Sequence, residues 1–140
     1  MSAAEVTPDR LRHALEMLDR LEDGASAKVT ANLDAMSDDF AEIVLGFAFT
    51  DVLARPAIDL RTREMLTVAA LTAMGTAPGQ LEFHIRAACN TGVTREEVVE
   101  IVLQMAVYAG VPACMNGVAA ARRAFAALDA TAEEGPSGTG

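Results

Sequence analysis

Apolar positions recur along most of this chain at helical spacing, and no segment alternates apolar and polar between turn signals. The pattern predicts an all-α chain of six helices or so. Thr7 followed by Pro8 opens the first helix, which carries Leu11, Ala14, Leu15, Leu18 and Leu21 and ends at Asp23-Gly24. Residues 25–35 are ambiguous. Ser37 or Asp38 caps a second helix running through Phe40, Ile43, Val44, Phe47 and Phe49, and it stops before Pro56. Asp59 caps a third, over 60–74, which Gly75 terminates. A turn at 76–79 leads to a fourth helix over about 80–91, with Gly92 behind it. Thr94 and Glu97 are spaced as a capping box that opens a fifth helix reaching Ala109. Gly110 breaks the chain, and Pro112 sits at the first position of a sixth helix reaching about Leu128.

Two of these helices are apolar nearly all round. Eight of the ten residues over 65–74 are apolar, and ten of the twelve over 98–109. Such helices need cover nearly all round, whereas a domain of this size buries only about two-thirds of its unfolded surface. The pattern therefore predicts an obligate homo-oligomer, the alternative being a compact monomeric bundle with both helices central. Residues 1–36 read as an N-terminal helical segment, 37–128 as a helical domain and 129–140 as a flexible tail.

Charge and composition narrow the chemistry. The 140 residues carry 11 Lys plus Arg against 20 Asp plus Glu, a net charge of −9. That balance argues against a phosphate-backbone binder and against docking on an anionic membrane. With 5 Phe, 1 Tyr and no Trp, a base-stacking platform is not expected either. No apolar run is long enough to span a bilayer, and the N-terminus lacks the apolar core of a secretory signal, so a cytoplasmic location is expected. Cys89 and Cys114 form no C-x-x-C, and with His13 and His84 they match no structural zinc spacing, so no metal site is expected.

The stretch that can carry chemistry centres on His84. On a helix its face is shared with Ala87 and Ala88, while Arg86 points elsewhere. Such a histidine is either a hydrogen-bonded packing residue or a proton carrier. Glu64 stands just before the apolar run of the third helix. If the third and fourth helices are antiparallel neighbours, Glu64 is the natural partner of His84, and a Glu–His pair fixes the imidazole tautomer for proton transfer. The alternative is a carboxylate in the first turn, favoured there by the helix dipole. Arg55, Arg61 and Arg63 flank the same helix start, as bidentate anchors for a carboxylated substrate or as surface ion pairs.

Several segments in order resemble the carboxymuconolactone decarboxylase family. They are Phe47-Ala48 through Arg55-Pro56, Arg63 with Leu66-Thr67-Val68-Ala69 and Leu71, and Gly75. After them come His84-x-Arg86-Ala87 with Asn90-x-Gly92-Val93-Thr94, and Tyr108-Ala109-Gly110-x-Pro112-Ala113. The resemblance covers about 38–126. It implies an alkylhydroperoxidase D-like helical bundle assembled as a homotrimer or homohexamer with sites between subunits. It also implies cofactor-independent loss of CO2 from a small carboxylated lactone. Carried over residue by residue, it makes His84 the proton-transfer residue, Glu64 a weaker second, and Arg55, Arg63 and Arg86 the substrate anchors. The peroxidase branch places a C-x-x-C ahead of the histidine, where this chain has Ala77 and Gln80, so thiol chemistry is not expected. Phe49 and Leu53 replace the tryptophan usual in the second helix. A divergent member catalysing isomerisation or cyclisation, and a non-catalytic oligomeric ligand binder, are the alternatives.

Overall fold

The computed structural model describes residues 8–134; the expected Thr7 cap and the last six residues of the expected tail lie outside them. Seven α-helices and one π-helical segment account for the described secondary structure, and no strand occurs among the described residues. Two compact units are distinguished, one up to Leu60 and one from Arg61.

The first unit holds α1 (Pro8–Leu21), α2 (Ala25–Asp34) and α3 (Phe40–Leu45), the last continuing as a π-helix over Gly46–Leu53. The face of α1 buries Ala14, Met17, Leu18 and Leu21, as its periodicity requires. Of the ambiguous residues 25–35, all but Ala35 are helical. The expected second helix departs from expectation in two ways. Its core face is Ala41, Leu45 and Phe49, while Phe40, Ile43, Val44 and Phe47 lie on the exposed side, Phe47 at 62%. Its second half widens into π geometry, in which the Ala54 amide donates to the Phe49 carbonyl five residues back at 2.9 Å. Arg10 fastens this segment. Its guanidinium donates to both Asp51 carboxylate oxygens, at 3.2 and 2.6 Å, and to the Glu42 carbonyl at 3.1 Å. Gly46 leaves the space: a Cβ there would lie 2.6 Å from the Arg10 Nη1.

The second unit holds α4 (Leu60–Met74), α5 (Pro78–Asn90), α6 (Arg95–Ala109) and α7 (Val111–Glu134). The Thr94 hydroxyl accepts from the Glu97 amide and the Glu97 carboxylate from the Thr94 amide, both at 3.0 Å, so the expected capping box forms. α7 packs along both α5 and α6. Their shared core is Leu81, Ile85 and Ala88 of α5, Val98 and Val102 of α6, and Ala120, Ala121 and Ala124 of α7, with Val68 from α4. Close approach depends on Gly117, where a Cβ would meet Val102 Cγ1 at 2.8 Å and Thr72 Cγ2 at 2.9 Å. The last helix runs past the expected end near Leu128, and residues 129–134 are helix rather than tail. Asp129 accepts from Arg95 on α6 at 2.6 Å, and the Thr131 hydroxyl donates to the Ala127 carbonyl, which together hold the extra turns.

Candidate active site

Glu64 lies in the second turn of α4 and His84 midway along α5. The two helices flank the short turn that ends α4 at Gly75, whose φ of +68° suits glycine. This hairpin brings the two side chains together. His84 Nδ1 is 2.8 Å from Glu64 Oε2. Glu64 is 0% exposed and His84 9%. The dipole-favoured surface position for Glu64 is therefore not what forms. The carboxylate is under the bundle surface, and its Oε1 is buried without a hydrogen-bond partner among the described residues.

A buried carboxylate with one polar partner is strongly committed to that partner. With Glu64 ionised, Nδ1 carries the hydrogen and donates it, and Nε2 is left as the nitrogen that takes or gives a proton. Phe83 holds the imidazole edge-on, with ring centroids 4.9 Å apart and planes at 81°. The arrangement can hold one imidazole in a fixed orientation and tautomer within a largely dry environment, which is what a general acid or base requires.

Of the three expected anchors, Arg55 belongs to the first unit and Arg63 and Arg86 to the second. Arg86 lies two residues after His84 on α5. It stacks over Phe83 at 5.8 Å and donates to Glu82 at 3.4 Å. Arg63 is half-buried on α4. Arg55 belongs to the first unit and lines a cleft of about 360 Å³ together with His13, Arg20 and Asp59. Arg61 is committed elsewhere: it reaches both carboxylate oxygens of Glu97 on α6, at 2.5 and 2.6 Å, and the Gly92 carbonyl at 3.2 Å. That pairing, with the Thr94 amide, holds the Glu97 carboxyl at about 2.

Phe83 and Arg123 were not evident as site residues in the sequence. Arg123 donates to Glu82 at 3.0 Å and lines a cavity of about 390 Å³ among α4, α5 and α7 with Thr72 and Asn116. Leu81, one turn before His84, borders it. No local spacing marks Arg123, because it reaches Glu82 from another helix, whereas Phe83 meets His84 and Arg86 within α5.

Burial pushes the Cys89 thiol above its ordinary value, against a smaller opposing pull from Arg95, so at neutral pH it stays protonated. Among the described residues no group of three or more His, Cys, Asp or Glu is placed to hold a metal. No helix among them is long and apolar enough to cross a membrane.

Known proteins are similar to this chain over much of its length. The chain is 35% identical to 4-carboxymuconolactone decarboxylase of Acinetobacter baylyi over 103 residues, 74% of this chain and 76% of that one. It is 36% identical to nitrosuccinic acid decarboxylase of Metarhizium robertsii over 77 residues, 55% of this chain and 53% of that one. An uncharacterised 15.0 kDa protein of Paracoccus denitrificans is 33% identical over 92 residues, 65% and 66% of the two chains. The profile of the carboxymuconolactone decarboxylase family matches residues 38–130, a span that includes both Glu64 and His84, and the chain belongs to that family.

Proposed function

We propose that this protein is a decarboxylase of a small carboxylated substrate, and that His84, oriented by Glu64, delivers the proton that quenches the delocalised carbanion left when CO2 departs. The observation that carries the reading is the buried 2.8 Å contact between His84 and Glu64. Family membership and two relatives named as decarboxylases support an enzyme of this kind. The finer reading takes a 4-carboxymuconolactone-like lactone as substrate.

In such a lactone the leaving carboxylate sits on a carbon conjugated through a C=C bond to the ring carbonyl. Breaking the C–CO2 bond pushes its electron pair into a dienolate, with charge developing on the carbonyl oxygen. A proton delivered from His84 Nε2 to the ring carbon then gives the enol-lactone, and solvent restores the proton. Arg55, Arg63 and Arg86 are the proposed anchors for the carboxylate that stays, a guanidinium fork being suited to bidentate bonds with it. The chemistry proposed for these residues uses no cofactor.

The test is CO2 release and ultraviolet absorbance with purified protein and a panel of lactone acids and short dicarboxylates, 4-carboxymuconolactone and nitrosuccinate among them. Turnover of a carboxylated lactone that is lost in His84→Gln supports the reading. No CO2 from any member of the panel, or turnover unchanged in His84→Gln, contradicts it.

A further inference from the structure

The cavity of about 390 Å³ among α4, α5 and α7 lies within the second unit. Its size falls in the range of about 300–1,000 Å³ usual for small-molecule sites. Leu71, Leu81 and Ala119 give it an apolar side, and Thr72, Asn116 and Arg123 a polar one. Asn116, Ala119 and Arg123 follow one another at helical spacing and share one face of α7. On α4, Glu64, Val68 and Thr72 share another, all three buried. On α5, Leu81 precedes His84 by one turn, about 5 Å along the axis. The cavity therefore lies on the hairpin-turn side of the Glu64–His84 pair.

Arg123 is the only charged residue on this wall among the described residues. It is held by one end. Its Nε donates to Oε2 of Glu82 at 3.0 Å, while its Nη1 and Nη2 have no hydrogen-bond partner among the described residues. Glu82 is itself divided, since its Oε1 accepts from Arg86 at 3.4 Å. One carboxylate between two guanidiniums fixes the direction of Arg123 without cancelling both charges. The Asn116 side chain likewise has no hydrogen-bond partner among the described residues, whereas the Thr72 hydroxyl is given to the Val68 carbonyl at 2.7 Å.

We infer that this cavity binds the carboxylated substrate, with the Nη pair of Arg123 on the carboxylate that stays and Glu82 as the residue that positions Arg123. A guanidinium gripped at Nε still presents the edge formed by its two Nη groups, and that edge makes two parallel bonds to a carboxylate. In a chain of net charge −9 most of the surface repels a carboxylate, so a cavity whose one charged residue is an arginine is where such a group is held. The apolar side suits a small ring, and the Asn116 amide offers an N–H to a ring carbonyl. The inference rests on the reaction proposed above only for the class of ligand, and it adds Arg123 to the anchors named there.

The test is isothermal titration calorimetry on the full chain with γ-carboxy-γ-butyrolactone and with its uncharged primary amide. This saturated lactone acid has no C=C bond to take up the electron pair of a departing CO2, so it reports binding without reaction. The wild type is expected to bind the acid, and to bind the amide about ten- to a hundredfold more weakly, the range of a charge-assisted hydrogen bond. Arg123→Gln is expected to bind the acid as weakly as the amide, with unchanged helical circular dichroism. Ala119→Phe, which fills the cavity from an exposed position, is expected to bind neither. A wild type that binds neither compound or does not distinguish them overturns the inference, and so does an Arg123→Gln protein that binds the acid like the wild type. Binding and reaction fail separately. Acid binding that is lost in Arg123→Gln, with no CO2 from the panel above, contradicts the reaction and leaves the cavity as a site for lactone acids. Turnover of a carboxylated lactone with unchanged KM in Arg123→Gln overturns the role of the cavity and leaves the reaction standing.

Discussion

Oε2 of Glu64 lies 2.8 Å from Nδ1 of His84, while Oε1 of the same carboxyl group is buried without a partner among the described residues. Glu64 thus serves one ring. It positions the imidazole, and His84 is the group proposed to meet substrate.

Two residues that act as one unit are not additive. Glu64→Gln keeps the shape but removes the charge that favours the Nδ1–H tautomer, and is expected to lower kcat by about 10²-fold or more with KM little changed. Combined with His84→Gln, it is expected to cost no more than His84→Gln alone. Steady-state kinetics on the three variants check this; multiplying losses would separate the two side chains.

Gly117 lets α7 lie against Val102 and Thr72. Gly117→Ala gains helix propensity of about 1 kcal/mol, but its methyl would enter space at 2.8 Å from Val102. Overpacking of this kind costs about 1–3 kcal/mol, so a net loss of stability is expected in urea unfolding. Adding Val102→Ala is expected to recover part of the overpacking cost while introducing its own loss of contacts.

Arg61 holds Glu97 at about 2, below the ordinary 4.5. A carboxyl lowered in the folded state stabilises it above the ordinary value, and that contribution is lost as pH falls from about 4.5 toward about 2. Asp51 beside Arg10 and Asp129 beside Arg95 are lowered too and act in the same direction. Glu97→Gln is therefore expected to be less stable than wild type at neutral pH and to show a shallower acid limb. Urea midpoints from pH 6 to pH 2.5 check the slope; identical slopes would contradict the assigned pairing.

Arg10 ties the π-helical segment to α1 through Asp51 and the Glu42 carbonyl. In Arg10→Ala the segment over Gly46–Leu53 is expected to open more often, with faster amide hydrogen exchange there than in α5. Unchanged exchange would show that the segment holds itself.

Local chemistry was legible in the sequence. Thr94 and Glu97 form their box because both partners lie within one turn, and the stripe of α1 faces its core as its period requires. The proximity of Glu64 and His84 was readable from a carboxylate at the edge of an apolar run and a histidine beyond a short turn. What escaped depends on distant partners. The π geometry rests on Arg10, about forty residues earlier, and α2 has neither a side-chain cap nor a pronounced apolar stripe. Periodicity placed Phe40, Ile43, Val44 and Phe47 on one face, but it carries no information about which face is covered. The end of α7 moved outward because Asp129 finds Arg95 on another helix.

The most direct measurement is kcat for decarboxylation by His84→Gln, at matched circular dichroism and sedimentation. A proton-transfer residue of this kind contributes on the order of 10²–10⁴-fold, and a loss in that range is expected. Retention of near wild-type turnover by a folded His84→Gln protein would place the proton donor elsewhere and contradict the role given to this side chain.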